Sequence, residues 1–418
     1  AKKFGYGFTK ATSQIAATVK APLKDILVRC TEIFSTTNPK GYLELEASTM
    51  IEEYSGYYMR AIESIRVLGG IYSTFQSVTV FIIMTLDILT VFMADPDMVY
   101  YSYAISTCAI LVMYLGLKAV VPKDVLVHMD KNYPPKLYRM FRLCLPIAIA
   151  CIAPAFLISM TFSPAYGLIF YGSVLILPGF FAHRLESFVY KVDEHYPAFI
   201  KSLGENMAST SSLKSALSYV LYMELGPLKT LLKRVLARVK MGISNEKSLS
   251  ILSSEAASHR VHTTNKIFVD AVNYGGDPLE VGKMLGNSCV KFLEFRKRRL
   301  SVAKSFEVVV LVLQPITVAL LIILTFLCRF FSQSLTSLPY FTFGQIPVPV
   351  IETGNIFLIL FMTAINALGL REAKGGFWGK IILYGGVLLV LSGAAWLGSD
   401  MLMDLAFGQL LKGFEEIV

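Results

Sequence analysis

No Cys-x-x-Cys pair and no Cys/His cluster occurs anywhere in this chain of 418 residues. Its six cysteines (Cys30, Cys108, Cys144, Cys151, Cys289, Cys328) are scattered, mostly in apolar surroundings, which argues against a disulfide framework and against a metal site. Also missing are GxxxxGKS/T, a GxGxxG after a strand, HExxH and GxSxG, so the familiar ATPase, protease and hydrolase chemistries have no signature here. Charge is scarce. Only 17% of residues are charged against 54% hydrophobic, and the mean hydropathy of +0.57 is too high for a soluble protein of this length. The chain opens AKKFGYGF, with no Met and no apolar leader, and so reads as processed or cut from a longer protein.

What is present is a set of membrane spans. Crossing a bilayer core as a helix takes about 20 mostly apolar residues, because only a helix satisfies its own backbone in lipid. Seven stretches qualify: 71–93, 100–120, 143–162, 164–182, 306–328, 351–370 and 380–397. Counting Lys and Arg in the short connections assigns each a side. The loop 94–98 holds two Asp and no base and is placed outside. The loop 118–142 carries Lys118, Lys123, Lys131, Lys136, Arg139 and Arg142 and is placed inside, as is the connection with Arg371, Lys374 and Lys380. This puts the amino terminus in the cytoplasm and the carboxyl terminus outside the cell membrane. The net charge of +9 then belongs to the inner side, favouring anionic lipid or acidic partners, and no nucleic-acid partner is expected.

The segment 183–305 is the largest polar region, with 19 Lys and Arg against 11 Asp and Glu. Apolar residues recur at spacings of three and four throughout, predicting about six antiparallel helices and no strand. The fold class expected is all-α: a polytopic membrane protein with about seven transmembrane helices and two cytoplasmic antiparallel helical-bundle modules. Its parts are a truncated first module (1–70), spans one to four (71–182), a complete second module (183–305), spans five to seven (306–400) and an amphipathic tail (401–418) that reads as a short interfacial helix. The loop 330–350, rich in Pro, Phe and Ser, is expected against the outer membrane surface.

The chain also repeats itself. Residues 26–39 (ILVRCTEIFSTTNP) can be laid on 265–278 (NKIFVDAVNYGGDP), and after each turn a charged helical run leads into a span, FQSVTV in one copy and LQPITV in the other. The offset stays at 238 to 239 residues. Applied to the start of the chain it sets Ala1 opposite Lys240, so the first copy lacks a counterpart of the helices from 185 to about 239. A full-length gene is expected to encode roughly 50 to 100 more helical residues upstream.

Few residues point to chemistry, so cofactors and metals are not expected. His259 and His262 have the i, i+3 spacing of a ligand pair, but with no nearby carboxylate or thiol pair they read as solvated helix residues. Asp87 lies inside the first span and is a functional candidate by default, with a helix-packing role as the competing explanation. Used as an ion or proton site, it would make the chain a transporter or channel. Gln76 and Gln314, at matched positions of the two copies, read as hydrogen-bonding residues between helices. Two basic clusters suggest docking of an acidic partner. One is Lys229, Lys233, Arg234, Arg238 and Lys240, of which Lys229, Lys233 and Lys240 share a face opposite the leucines. The other is Arg296, Lys297, Arg298 and Arg299 before the fifth span, where a positive-inside collar is the competing explanation.

Paired helical modules leading into membrane helices resemble the type II secretion F-domain family, the platform proteins of type IV pilus, type II secretion and archaellum machines. YPAFIKSLGENMA at 196–208, LKSAL at 213–217 and the GGDP turn at 275–278 carry the likeness. With seven spans, the chain is more similar to the archaeal members. The resemblance implies a non-enzymatic platform that docks a hexameric secretion ATPase and passes pilin-like subunits into a filament, with dimerisation through the membrane part.

Overall fold

In a computed structural model, residues 5–21, 23–33, 38–93, 97–130, 133–336 and 348–415 are described, without the side chains of residues 87, 90–93, 331–336 and 408–415. Fourteen helices are found among them and no strand, only an isolated antiparallel bridge between Val127 and Ser258. Seven helical stretches are long and apolar enough to cross a membrane, so the chain is an all-α, multi-pass membrane protein. The described residues form two compact units, 1–61 and 62–418.

The first unit contains α1 (Phe8–Thr18), α2 (Leu23–Ile33) and the start of α3 (Pro39–Met93). Arg29 of α2 bonds Glu46 of α3 through Nε at 2.8 Å, and Thr31 reaches Thr12 of α1 at 3.1 Å. The repeat in the sequence is also a repeat of elements. α1, α2 and α3 correspond in order to α10 (Asn245–Ala256), α11 (His259–Asn273) and α12 (Pro278–Thr336), and α3 and α12 each begin at a proline, 278 − 39 = 239 residues apart.

The second unit adds α4 (Asp97–Val120), α5 (Lys136–Ala150), α6 (Ile152–Thr161), α7 (Pro164–Thr210), α8 (Leu213–Val220), α9 (Pro227–Lys240), α13 (Val348–Lys374) and α14 (Lys380–Glu415). Its polar module is built from the end of α7, then α8 to α11, then the start of α12. These helices share one core that includes Tyr196, Phe199, Leu203, Leu217, Leu228, Leu232, Val261 and Phe268.

Several helices ignore the division into spans and modules. α7 has 47 residues and α12 has 59, each passing without a break from the polar module into its apolar run. Both tolerate internal proline (Pro178 and Pro197 in α7, Pro315 in α12), whose lost hydrogen bond is a cost that packed neighbours can absorb within a bundle. The third span is instead two helices, joined at Cys151. The tail 401–415 continues α14 rather than forming a separate helix, and residues 337–347 of the Pro- and Phe-rich loop lie outside the described residues.

Among the spans, α7 and α14 pack backbone to backbone where Gly172 meets Gly386. A Cβ on Gly172 would stand 2.7 Å from the Gly386 carbonyl oxygen, so only glycine permits this crossing. Polar side chains stitch the interior. Gln314 donates to Thr363 of α13 (2.7 Å) and Ser392 of α14 (2.9 Å) and accepts from Asn366 (2.8 Å), which also bonds Tyr72. Gln76 donates to Thr317 of α12 at 3.3 Å. Both glutamines are buried.

Candidate docking surface and its junction with the membrane helices

α9 begins where Gly226 takes a positive φ (+50°) and Pro227 fixes the first turn. Leu228, Leu231, Leu232 and Val235 then face the module core, which leaves Lys233, Arg234 and Lys240 exposed and Lys229 half-buried. Glu255 of α10 is shared by Arg238 (2.5 Å) and Arg234 (3.6 Å), and Arg238 is half-buried there. Lys229, Lys233 and Lys240 have no ion-pair partner among the described residues. Tyr222, on the turn into α9, is 87% exposed, and Tyr219 at the end of α8 is exposed too. Neither aromatic stands out in the sequence; their signal is an aromatic set off the buried stripe formed by Leu213, Ala216, Leu217 and Val220.

The second basic cluster divides. Lys297 and Arg298 are exposed and pair with Glu194 (3.0 Å) and Glu294 (2.6 Å) at the surface, contacts of little energetic weight. Arg296 and Arg299 are only 3% and 2% exposed, which removes them from any docking surface. The reason is local. A helix that enters the membrane directly from the module turns one side of this run inward at the boundary, and a buried guanidinium requires partners.

Arg296 finds them on two elements. It donates to Asp193 of α7 through Nη1 (2.8 Å) and grips Asp124 through Nε (3.3 Å) and Nη2 (3.1 Å). Asp193 is fully buried and also accepts from Ser258, the residue that caps α11 by receiving the Val261 N–H. Burial alone would lower the pKa of Arg296, which precedes the apolar run of α12, but the Asp124 and Asp193 carboxylates outweigh it and raise the pKa above the ordinary arginine value. Arg299 spends its donors on backbone carbonyls: Ala373 (2.9 Å), Glu372 (2.6 Å) and Pro122 (3.1 Å). It fits because residue 375 is glycine in a left-handed conformation (φ +61°), where a side chain would overlap the guanidinium. Nearby, the buried Glu186 of α7 accepts from the Phe377 N–H (3.0 Å) and from Lys380 (2.7 Å), and Lys374 pairs with Glu307 at 2.5 Å.

These bonds clamp the segment 121–130 and the α13–α14 turn onto α7 and α12 where they leave the polar module. The clamp continues into the module. The backbone of 126–128 pairs with 257–259 (His128 N–H to Ala257 at 2.9 Å, His259 N–H to Leu126 at 3.0 Å), and Ser254 donates to Asp130 at 3.2 Å. His128 stacks on His262 with ring centroids 3.8 Å apart, and His259 lies 6.3 Å from His128. The His259/His262 pair therefore has a third imidazole beside it, from a loop more than 100 residues away in sequence. Burial first, then the neighbouring imidazoles, lowers the pKa of both His128 and His262 below the ordinary 6.5. Among the described residues no group of three or more His, Cys, Asp or Glu is placed to hold a metal ion. The side chain of Asp87 lies outside the described residues.

Comparison with known proteins gives two relatives and no more specific assignment. No family model matches the chain, the F-domain family expected from the helix order included, and no solved structure matches it. The chain is 24% identical over 277 residues to "Flagella accessory protein J" of Methanococcus voltae, covering 62% of this chain and 49% of that protein. It is 24% identical over 288 residues to "Flagella accessory protein J" of Methanocaldococcus jannaschii, covering 65% of this chain and 51% of that one. The chain thus spans about half the length of the curated relatives it matches. The likeness is to archaeal flagellum-associated proteins.

Proposed function

We propose that this chain is a non-enzymatic platform of a type IV pilus-like assembly machine, an archaellum or an archaeal pilus. In this reading it sits in the cell membrane with module 183–305 and the amino terminus in the cytoplasm and the carboxyl terminus outside. The free cations of α9 (Lys229, Lys233, Lys240), with Arg234 and the exposed Tyr222, form the docking face for a hexameric secretion ATPase. Motion imposed on the module travels along α7 and α12, and pilin-like subunits enter the filament beside the lipid-facing helices of a homodimeric frame. One observation carries the reading: the two longest helices of the second unit connect the module core to the spans without a break, and buried ion pairs brace them at the boundary. A joint that ends in rigid helices transmits displacement, whereas a flexible linker would absorb it. The names of the two relatives favour a flagellum-type filament over other uses of such a frame.

A complementation assay tests this. In a strain lacking the gene, a Lys229→Glu/Lys233→Glu/Arg234→Glu/Lys240→Glu protein is expected to reach the membrane in normal amount and leave the cells without filaments. Normal filaments on those cells would sink the docking claim.

A further inference from the structure

Most juxtamembrane arginines of this protein are used internally. Arg296, Arg299 and Arg371 find acceptors within the chain, and Arg298 pairs along its own helix. Four basic residues on the same side as the polar module do not. Lys136, Arg139 and Arg142 begin α5, Arg184 extends α7 just past its apolar run, and none of the four has an ion-pair partner among the described residues. Each of the four is exposed.

The surroundings explain why no partner exists. No Asp or Glu occurs between Asp130 and Glu186, so α5, α6 and the apolar run of α7 contain no counter-charge. Glu186, two residues past Arg184 and on another face of α7, is turned inward and occupied by Lys380 and the Phe377 N–H. The two helices lie against each other, since Phe141 of α5 shares a core cluster with Ala182 and Leu185 of α7. That contact joins the helices beside the two arginines, since Arg142 follows Phe141 and Arg184 precedes Leu185 in sequence. Next to the cations the surface is apolar and open. Met140, Leu143 and Ile147 share a face with Lys136 and Arg139 on α5, while Leu177 and Phe180 precede Arg184 on α7. The Arg184 guanidinium stands 5.0 Å over the Phe180 ring. Lys136 and Arg139 also sit in the first turn of α5, where positive charge is unfavourable unless an anion offsets it.

Unpaired arginines at the edge of a lipid-facing apolar surface match one ligand chemistry, a phosphate carried on acyl chains. The guanidinium fork binds phosphate oxygens in pairs, and the exposed leucine, isoleucine and phenylalanine side chains receive the chains. We propose that Arg139, Arg142 and Arg184, with Lys136, form a binding site for the headgroup of an anionic phospholipid in the leaflet facing the polar module. The bound lipid supplies the negative charge that this part of the chain lacks and anchors α5 against α7. This site is independent of the ATPase reading and uses none of its residues.

The test uses the full chain, purified in neutral detergent and mixed with micelles holding equal amounts of phosphatidylglycerol and phosphatidylcholine, with retained lipid read by native mass spectrometry. The wild-type chain is expected to retain phosphatidylglycerol preferentially. The Arg139→Gln/Arg142→Gln/Arg184→Gln variant should lose that preference by roughly tenfold or more, with an unchanged melting temperature in neutral detergent alone. Lys229→Gln/Lys233→Gln/Arg234→Gln on α9 should keep it. An unchanged preference in the first variant, or equal loss in the second, overturns the proposal. Free glycerol phosphate at millimolar concentration should not displace the lipid; displacement would assign the site to a soluble phosphate instead.

Discussion

Arg296 and Asp193 show what a single side chain does at the boundary between module and membrane. Removing the guanidinium leaves the fully buried Asp193 carboxylate with only the Ser258 hydroxyl, and a buried charge stripped of its partner costs about 3–5 kcal/mol. Arg296→Gln is therefore expected to lower the thermal midpoint of the purified protein markedly. Arg296→Lys should recover only part of the loss, because one ammonium cannot reproduce a fork that bonds Asp124 and Asp193 together. A midpoint unchanged by Arg296→Gln would mean that the pair contributes nothing to stability. The sequence marks this residue only as one of four consecutive cations, and nothing in that run says which two point inward. The answer depends on Asp124 and Asp193, 172 and 103 residues away in sequence.

At the scale of elements, the segment 121–130 has the most to reveal. In sequence it belongs to the basic loop 118–142 between two spans; in the structure it is pinned to the module through the Val127–Ser258 bridge and the stacked His128 and His262. Burial, with repulsion from His259 on both rings, holds both imidazoles below their ordinary pKa, so they are neutral in the folded state at neutral pH. Lowering the pH past about 6.5 protonates the unfolded chain before the folded one. Stability is thus expected to be flat above that value and to fall as pH drops toward the folded-state pKa values. Melting curves from pH 8 to pH 5 should show this slope in the wild type and a shallower one in His128→Gln/His262→Gln; equal slopes would remove the histidines as its source. Periodicity made the helices themselves legible: α9 starts at Gly226-Pro227, α11 at Ser258, and α12 at Pro278 after the Gly275–Gly276 turn. It gave no sign that α7 runs on unbroken, because a charge gradient along one helix reads like a boundary between two, whereas the stretch after Pro278 shows no breaker before the fifth span and α12 is indeed one helix. Nor could it show Gly172 against Gly386, a contact that only the packed bundle defines.

For the whole molecule, the account rests on a division of labour between the two basic clusters that composition alone treats as alike. Arg296 and Arg299 are buried and hold the module to the membrane helices, while Lys233, Arg234 and Lys240 of α9 stay exposed, the face proposed for docking. The most direct measurement is the affinity of purified secretion ATPase for the detergent-solubilised protein, at fixed salt, with and without Lys229→Glu/Lys233→Glu/Arg234→Glu/Lys240→Glu. The account predicts a Kd raised by at least about tenfold, or ~1.4 kcal/mol, with binding that weakens as salt increases. An unchanged Kd in the α9 variant would contradict it.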